Sequence, residues 1–291
     1  MDIEGKIDYS KLNHKQKKAL RNIIECKTEA MGFNTDVCEC CGHTEIHYYS
    51  CKNPNCPECG SVDKEIWIHK QERFTLNVNY FHVVFTIPNE LNVLCLIDPK
   101  FMYKALFDVS AETIKELSKD KKYLGAKIGF TSVLHTWGQN LSLHPHIHMI
   151  VPGGGIDSNG KWKNSKKKFF LPVKVVSKLF KGKFLSYTKK NFDQRKIKDK
   201  EQFQEIINSC YSKDWVVYTK KPMKSAKHVV KYLGRYTHRI AISNARLKKY
   251  EDNKVTFSYK DYSDHNQIKE MTLDDTEFFR RYTMHVLPPN F

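Results

Sequence analysis

The chain reads as an α+β protein, a central antiparallel sheet with helices, preceded by a small N-terminal helix and cysteine-rich segment. Three observations lead there. Two pairs of strand-like runs read as antiparallel hairpins: Ala126–Trp137 with His144–Val151, joined by a short turn, and Val255–Tyr259 with Ile268–Leu273 near the end of the chain. Pro99 to Lys119 places Met102, Leu106, Val109, Thr113 and Leu117 at helical spacing. Seven of the nine cysteines lie between Cys26 and Cys59, a clustering that suits metal ligation better than packing.

Taken in order, Tyr9 to Cys26 is expected to be a basic amphipathic helix with Leu12, Leu20, Ile23 and Ile24 on its packing side. Cys38-x-x-Cys41 and Cys56-x-x-Cys59 then follow with fourteen residues between the pairs, the two-knuckle spacing in which four thiolates close a tetrahedron around zinc. Cys26, Cys40, Cys51, His43 and His47 are left over: one of them, Cys51 first, is a possible extra or substitute ligand, several could form a second site, or they are buried or spare. Such a segment has few large aliphatics, so the zinc is read as structural, completing a fold that lacks a core. Ile66 to Thr75 reads as a helical junction, and Tyr80 to Ile87 as a central strand stopped by Pro88. Glu201 to Asp214 is expected to be a helix, Trp215 to Thr219 a strand, Ser225 to Arg239 a helix, and Asp274 to His285 the last helix. The expected division is residues 1–75, the helix and zinc-binding domain, and residues 76–291, a catalytic domain with a basic insertion at 156–200.

The run His144-Pro145-His146-Ile147-His148 puts three histidines on one face of a strand. His146 and His148, about 6 to 7 Å apart at the backbone, can converge on one ion. His144 and His148 are about 13 Å apart, too far to share it. His135 on the preceding strand is the better third ligand if it lies opposite His146 or His148, through a turn centred on Asn140-Leu141 or Leu141-Ser142; Gln139 is held in reserve. A lone His-x-His also suits an ordinary polar strand face, so the rest of the chain has to decide. On the Ser225 to Arg239 helix, Tyr232 and Tyr236 stand at i and i+4, one face, among His228, Lys231, Arg235, His238 and Arg239.

The formal net charge of +17 points to an acidic polymer, most simply nucleic acid. Fifteen basic residues between Lys161 and Lys200 face only Asp193 and Asp199, and they include Lys166, Lys167 and Lys168. Aromatics from Trp162 to Phe192 are interleaved with these cations, a mixture suited to the phosphates and exposed bases of a single strand. No apolar run is long enough to span a bilayer and the start lacks a signal-peptide pattern, which leads to the expectation of a cytoplasmic protein.

A metal held by histidines beside tyrosines on a cationic helix is a sufficient kit for cutting a phosphodiester without water. At the level of motifs the chain resembles the insertion-sequence 91 family of rolling-circle transposases, paired-tyrosine members of the HUH endonuclease superfamily. The resemblance rests on Ser50-Cys51-Lys52-Asn53-Pro54-Asn55-Cys56-Pro57, Phe81 to Pro88, Leu134 to Leu141, His144 to Gly155, Lys231 to Asn244, and His285-Val286-Leu287-Pro288. It implies an HUH-like sheet, His146 and His148 as metal ligands, magnesium or manganese as the ion, and Tyr232 and Tyr236 as nucleophiles. It also implies transposition of single-stranded DNA from element ends that carry hairpins. Ligand softness alone favours zinc or manganese at an all-histidine site. Arg235 and Arg239, with Lys166, Lys167 and Lys168, are the expected DNA contacts. The alternatives are a plasmid replication initiator or relaxase of the same chemistry, and a non-catalytic zinc-ribbon DNA-binding protein.

Overall fold

A computed structural model of the chain describes residues 10, 12–165, 171–197, 199–223, 230–231, 234, 241–262 and 264–288. It is a mixed fold of helices and antiparallel strands, the α+β class expected. Its contacts group into two compact units, Met1–Ile66 with Trp137–Leu143 and His238–Phe291, and Trp67–Thr136 with His144–Thr237. This grouping differs from a cut of the sequence at residue 75, because the C-terminal strands and helix supply the core that the cysteine-rich segment lacks.

In the first unit, α1 (His14–Glu25) starts at Asn13, whose side chain caps the Gln16 N–H while the Gln16 side chain accepts from the Asn13 N–H. Its buried Leu20 joins Val255, Phe257, Phe278, Phe279 and Tyr282 in one apolar core. Those residues come from β10 (Lys254–Asp261), flanked by β9 (Leu247–Glu251) and β11 (Gln267–Asp274), and from α7 (Asp275–Met284). The terminal hairpin and final helix therefore form as expected, with β9 an additional strand. Gln16 Nε2 donates to the Thr283 carbonyl at 2.9 Å, tying α1 to α7. Ahead of this core, β1 (Phe33–Val37) and β2 (Thr44–Tyr48) pair in register from Phe33↔Tyr48 to Val37↔Thr44, with every strand residue exposed.

After α2 (Gly60–Glu72), the second unit is built on a four-stranded sheet in the order β4 (Thr131–Trp137), β5 (Leu143–Pro152), β3 (Tyr80–Thr86), β8 (Val217–Met223). Register pairs Val84 with His148 and Thr86 with His146, so His82, Val84 and Thr86 share a face with His146 and His148. The opposite face carries Phe81, Val83, Phe85, Ile147, Met149 and Val151, all buried. Phe85 meets Phe180 of α5 (Val173–Asn191) at 4.9 Å, and Phe180 and Phe184 both meet Trp215. Lys183 of α5 reaches Glu112 and Glu116 of α4 (Pro99–Lys119) at 2.7 and 2.8 Å. Helix α6 (Lys200–Ser212) begins at the Asp199 cap.

The interleaved aromatics need correction. Val176, Phe180, Phe184 and Thr188 recur every fourth residue of α5 and are buried, so Phe180 and Phe184 are core anchors rather than stacking platforms; Phe192 is buried too, against Phe203. The glycines after β5 serve close packing. A Cβ on Gly154 would lie 2.5 Å from the Lys163 carbonyl oxygen and from the Trp162 ring, where β6 (Gly154–Ile156) pairs with β7 (Trp162–Asn164). Among the described residues, no helix is long and apolar enough to cross a membrane.

Candidate active site and metal centres

Three histidines converge on the polar face of the second unit's sheet. His146 Nε2 is 3.1 Å from His148 Nε2 and 3.1 Å from His135 Nδ1. Two metal bonds of about 2.1 Å at a right angle subtend about 3.0 Å, so these spacings fit three ligands on one ion. Strand alternation brings His146 and His148 together, and β4 brings His135, the trio expected.

The turn between the strands is neither of the two considered. Leu141 N–H bonds to the Gly138 carbonyl at 3.1 Å and Gly138 N–H to the Ser142 carbonyl at 2.9 Å. The loop is therefore Gln139–Leu141, with Leu141 left-handed at φ 62, the geometry of a turn followed by a one-residue bulge. The Gln139 carbonyl accepts from Arg246.

Two of the three are oriented from behind. His146 Nδ1–H donates to the His144 carbonyl at 2.6 Å, which leaves Nε2 with its lone pair toward the cluster. His144 contributes through its backbone carbonyl, in keeping with a spacing too wide for it to share the ion. His148 presents Nε2 to the cluster, so its Nδ1–H donates to His82 Nε2, 2.8 Å away with the two rings stacked. His82 was not anticipated. The available signal was a single polar residue in the otherwise apolar run Phe81 to Phe85. Burial lowers the pKa of His146 to about 4 and that of His148 to about 2, the latter helped by the neighbouring His146 and His82. All-neutral imidazoles are the form that binds metal.

The second cluster is four thiols, those of Cys26, Cys51, Cys56 and Cys59, with sulfurs within 4.8 Å of one another. Cys26 and Cys51 lie 3.5 and 3.6 Å from Cys59, close to the edge of about 3.8 Å of a zinc–sulfur tetrahedron with bonds of about 2.3 Å. Cys56 and Cys59 are thus brought together as expected, and the extra ligand Cys51 joins them. Cys38 and Cys41 do not; their places are taken by Cys51 and Cys26. Cys26 follows the last turn of α1 at the helix cap, where Lys27 at φ 58 turns the chain back. Pair spacing alone gave no sign of a cysteine twelve residues before the first pair. The Asn53 N–H points at the Cys51 sulfur and the Cys51 N–H at that of Cys26, both at 3.5 Å. Burial raises the Cys51 thiol and takes Cys56 to about 11. A bound cation offsets that cost by stabilising the thiolates.

The remaining expected site residues, Tyr232, Tyr236, Arg235, Arg239, Lys166, Lys167 and Lys168, lie outside the described residues. Their neighbours Val230, Lys231 and Gly234 are helical.

Comparison with known proteins agrees with a zinc-binding N-terminal segment and places the chain among transposases. A family described as "Putative transposase" matches residues 129–291, and one described as "Transposase zinc-binding domain" matches residues 3–87. The chain is 40% identical, over 97% of its length and 74% of the relative's, to "Putative transposase y4qJ" of Sinorhizobium fredii. It is 27% identical, over 94% of its length and 67% of the relative's, to "Transposase for insertion sequence element IS801" of Pseudomonas savastanoi pv. phaseolicola. No solved structure matches. With a zinc-binding segment that holds a four-thiol cluster and a transposase segment that holds the converging histidines, the chain belongs to the insertion-sequence 91 family of transposases.

Proposed function

We propose that this transposase cuts and rejoins single-stranded DNA at the ends of its element through a covalent 5′-phosphotyrosine, driving rolling-circle transposition. The observation that carries the reading is the convergence of His135, His146 and His148 on the face of one sheet, in a chain of this family. A magnesium or manganese ion held by these nitrogens would supply Lewis-acid stabilisation of the scissile phosphate and of the departing oxygen. His135, His146 and His148 would hold the ion on one side, leaving it able to take phosphate oxygens.

The phenol oxygen of Tyr232 or Tyr236 attacks phosphorus, the P–O3′ bond breaks, and the 3′ oxygen leaves and takes up a proton. The phenol's proton passes to solvent. Its ordinary pKa is near 10, so the cations that neighbour the tyrosines in sequence, Lys231, Arg235 and Arg239, would favour the phenolate. Phosphorus stays esterified throughout, so attack by another 3′-hydroxyl on the phosphotyrosine restores a DNA bond without ATP. Two tyrosines allow one site to hold two ends. The four thiols Cys26, Cys51, Cys56 and Cys59 hold structural zinc.

The test is cleavage of a labelled single-stranded element end with manganese. A covalent protein–DNA adduct is expected, lost in Tyr232→Phe and in the double variant His146→Ala, His148→Ala. An unchanged adduct in Tyr232→Phe would transfer the lead role to Tyr236. DNA binding with no adduct in the wild-type protein would overturn the enzyme reading in favour of a zinc-ribbon DNA-binding protein.

A further inference from the structure

The turn that joins β4 to β5 is held by three side chains from the far end of the sequence. The Gln139 carbonyl accepts from Arg246 Nη2, the Asn140 carbonyl from Arg281 Nη1 at 3.1 Å, and the Leu141 carbonyl from His285 Nε2 at 3.1 Å. Three consecutive carbonyls are each taken by a different side chain, whereas a turn on the surface ordinarily leaves such groups to water. The turn is also built into a core. Trp137 and Leu141 are buried with Ile242, Phe257, Phe278 and Tyr282. Residues Trp137–Leu143 accordingly group with the first unit, although most of β4 and β5 belongs to the second.

The holders are themselves fixed. Arg246 Nε donates to the Ser258 carbonyl at 2.8 Å, and its guanidinium lies over the Phe257 ring. Arg281 Nε pairs with Glu277 at 2.7 Å. The next residue, Tyr282, donates to the Asn55 carbonyl beside Cys56, so α7 grips the turn and the thiol-bearing segment together. Guanidinium donors make charge-assisted bonds, the stronger kind.

His135 stands two residues before Trp137, and His146 three residues after Leu143. In a hairpin the loop sets the offset of the two strands, and a slip of one residue turns side chains to the other face. That offset brings His135 Nδ1 to 3.1 Å from His146 Nε2.

We propose that Arg246, Arg281 and His285 are positioning residues for the histidine site: by holding the turn they set His135 against His146. This rests on the reading of the trio as a metal site. Arg246→Ala/Arg281→Ala should keep its thiol-bound zinc and its circular dichroism, yet bind manganese about tenfold more weakly by electron paramagnetic resonance of the free ion. Arg246→Lys/Arg281→Lys, still able to donate to the carbonyls, should recover part of the loss. A second readout needs no manganese: the imidazole nitrogen resonances of His135 and His146 should move in the alanine variant. Wild-type affinity with unmoved resonances would overturn the proposal. A wild type that binds no manganese refutes the ion reading alone, and the resonances still decide the positioning role. If the double variant does not fold, Arg281→Ala, which leaves two holders, should show the same movements in smaller measure, and their absence overturns the proposal equally.

Discussion

His82 Nε2 lies 2.8 Å from His148 Nδ1, with the two rings within 12° of parallel. The acceptor on His82 fixes the proton of His148 on Nδ1 and so directs the Nε2 lone pair into the cluster. Partners of this kind are worth roughly 10- to 100-fold in metal affinity. His82→Ala should weaken manganese binding by that factor, read by electron paramagnetic resonance of free manganese, while His82→Gln retains an acceptor and recovers part of it. Equal affinity in His82→Ala and wild type would remove His82 from the site.

His285 makes stability depend on pH. It is 1% exposed, its Nε2–H donates to the Leu141 carbonyl at 3.1 Å, and burial lowers its pKa to about 4. The unfolded chain binds this proton near pH 6.5, the native state only near pH 4. The contribution is therefore complete above pH 6.5 and is lost as pH falls toward 4, up to about 3 kcal/mol. His285→Gln should be less stable at pH 7.5 yet show a shallower fall in Tm between pH 6.5 and 4.5. Parallel Tm curves for the two proteins would contradict this.

Cys26 distinguishes the observed thiol set from the pairing suggested by spacing. Cys26→Ser should lower Tm by roughly 5–10 °C, as a loss of a few kcal/mol would at this size. Zinc removal by a strong chelator should lower the wild-type Tm by at least as much and lower that of the variant by less, because the four-thiol site is already lost there. Additive losses would place Cys26 elsewhere.

Gly154→Ala should cost about 1–3 kcal/mol by overpacking, since the added carbon meets the Lys163 carbonyl and the Trp162 ring. Gly160→Ala places its methyl in open space and tests only the left-handed φ of 74. Denaturant melts of the two variants separate contact from backbone strain.

The elements were legible where one periodicity ran uninterrupted. Pro99–Lys119 is helical from end to end as expected, and Tyr80–Thr86 is the expected strand. The expected strand from Ala126 shrank to Thr131–Trp137, because Lys127 makes only an isolated bridge to Ile156. His146 and His148 were legible because two-residue alternation is a geometric fact of strands; His135 was named too, but it arrives through a turn that neither expected register described. The thiol grouping was not, since spacing says which cysteines share a turn but not which turns meet: Cys26 is delivered by a helix end and Cys51 by the chain returning from β2. The burial of Phe180 and Phe184 was hidden by the lysines between them, whose charge drew attention from the four-residue spacing of the rings.

Strand β5 lies inside its sheet, with β4 on one side and β3 on the other. Its amides should be among the slowest of the chain to exchange with deuterium, because releasing them means parting two ladders rather than fraying one edge. On the proposed function, an ion at His146 and His148 would then load and leave with side-chain motion alone. The rate of metal exchange should be insensitive to denaturant concentrations that already loosen the rims of the sheet.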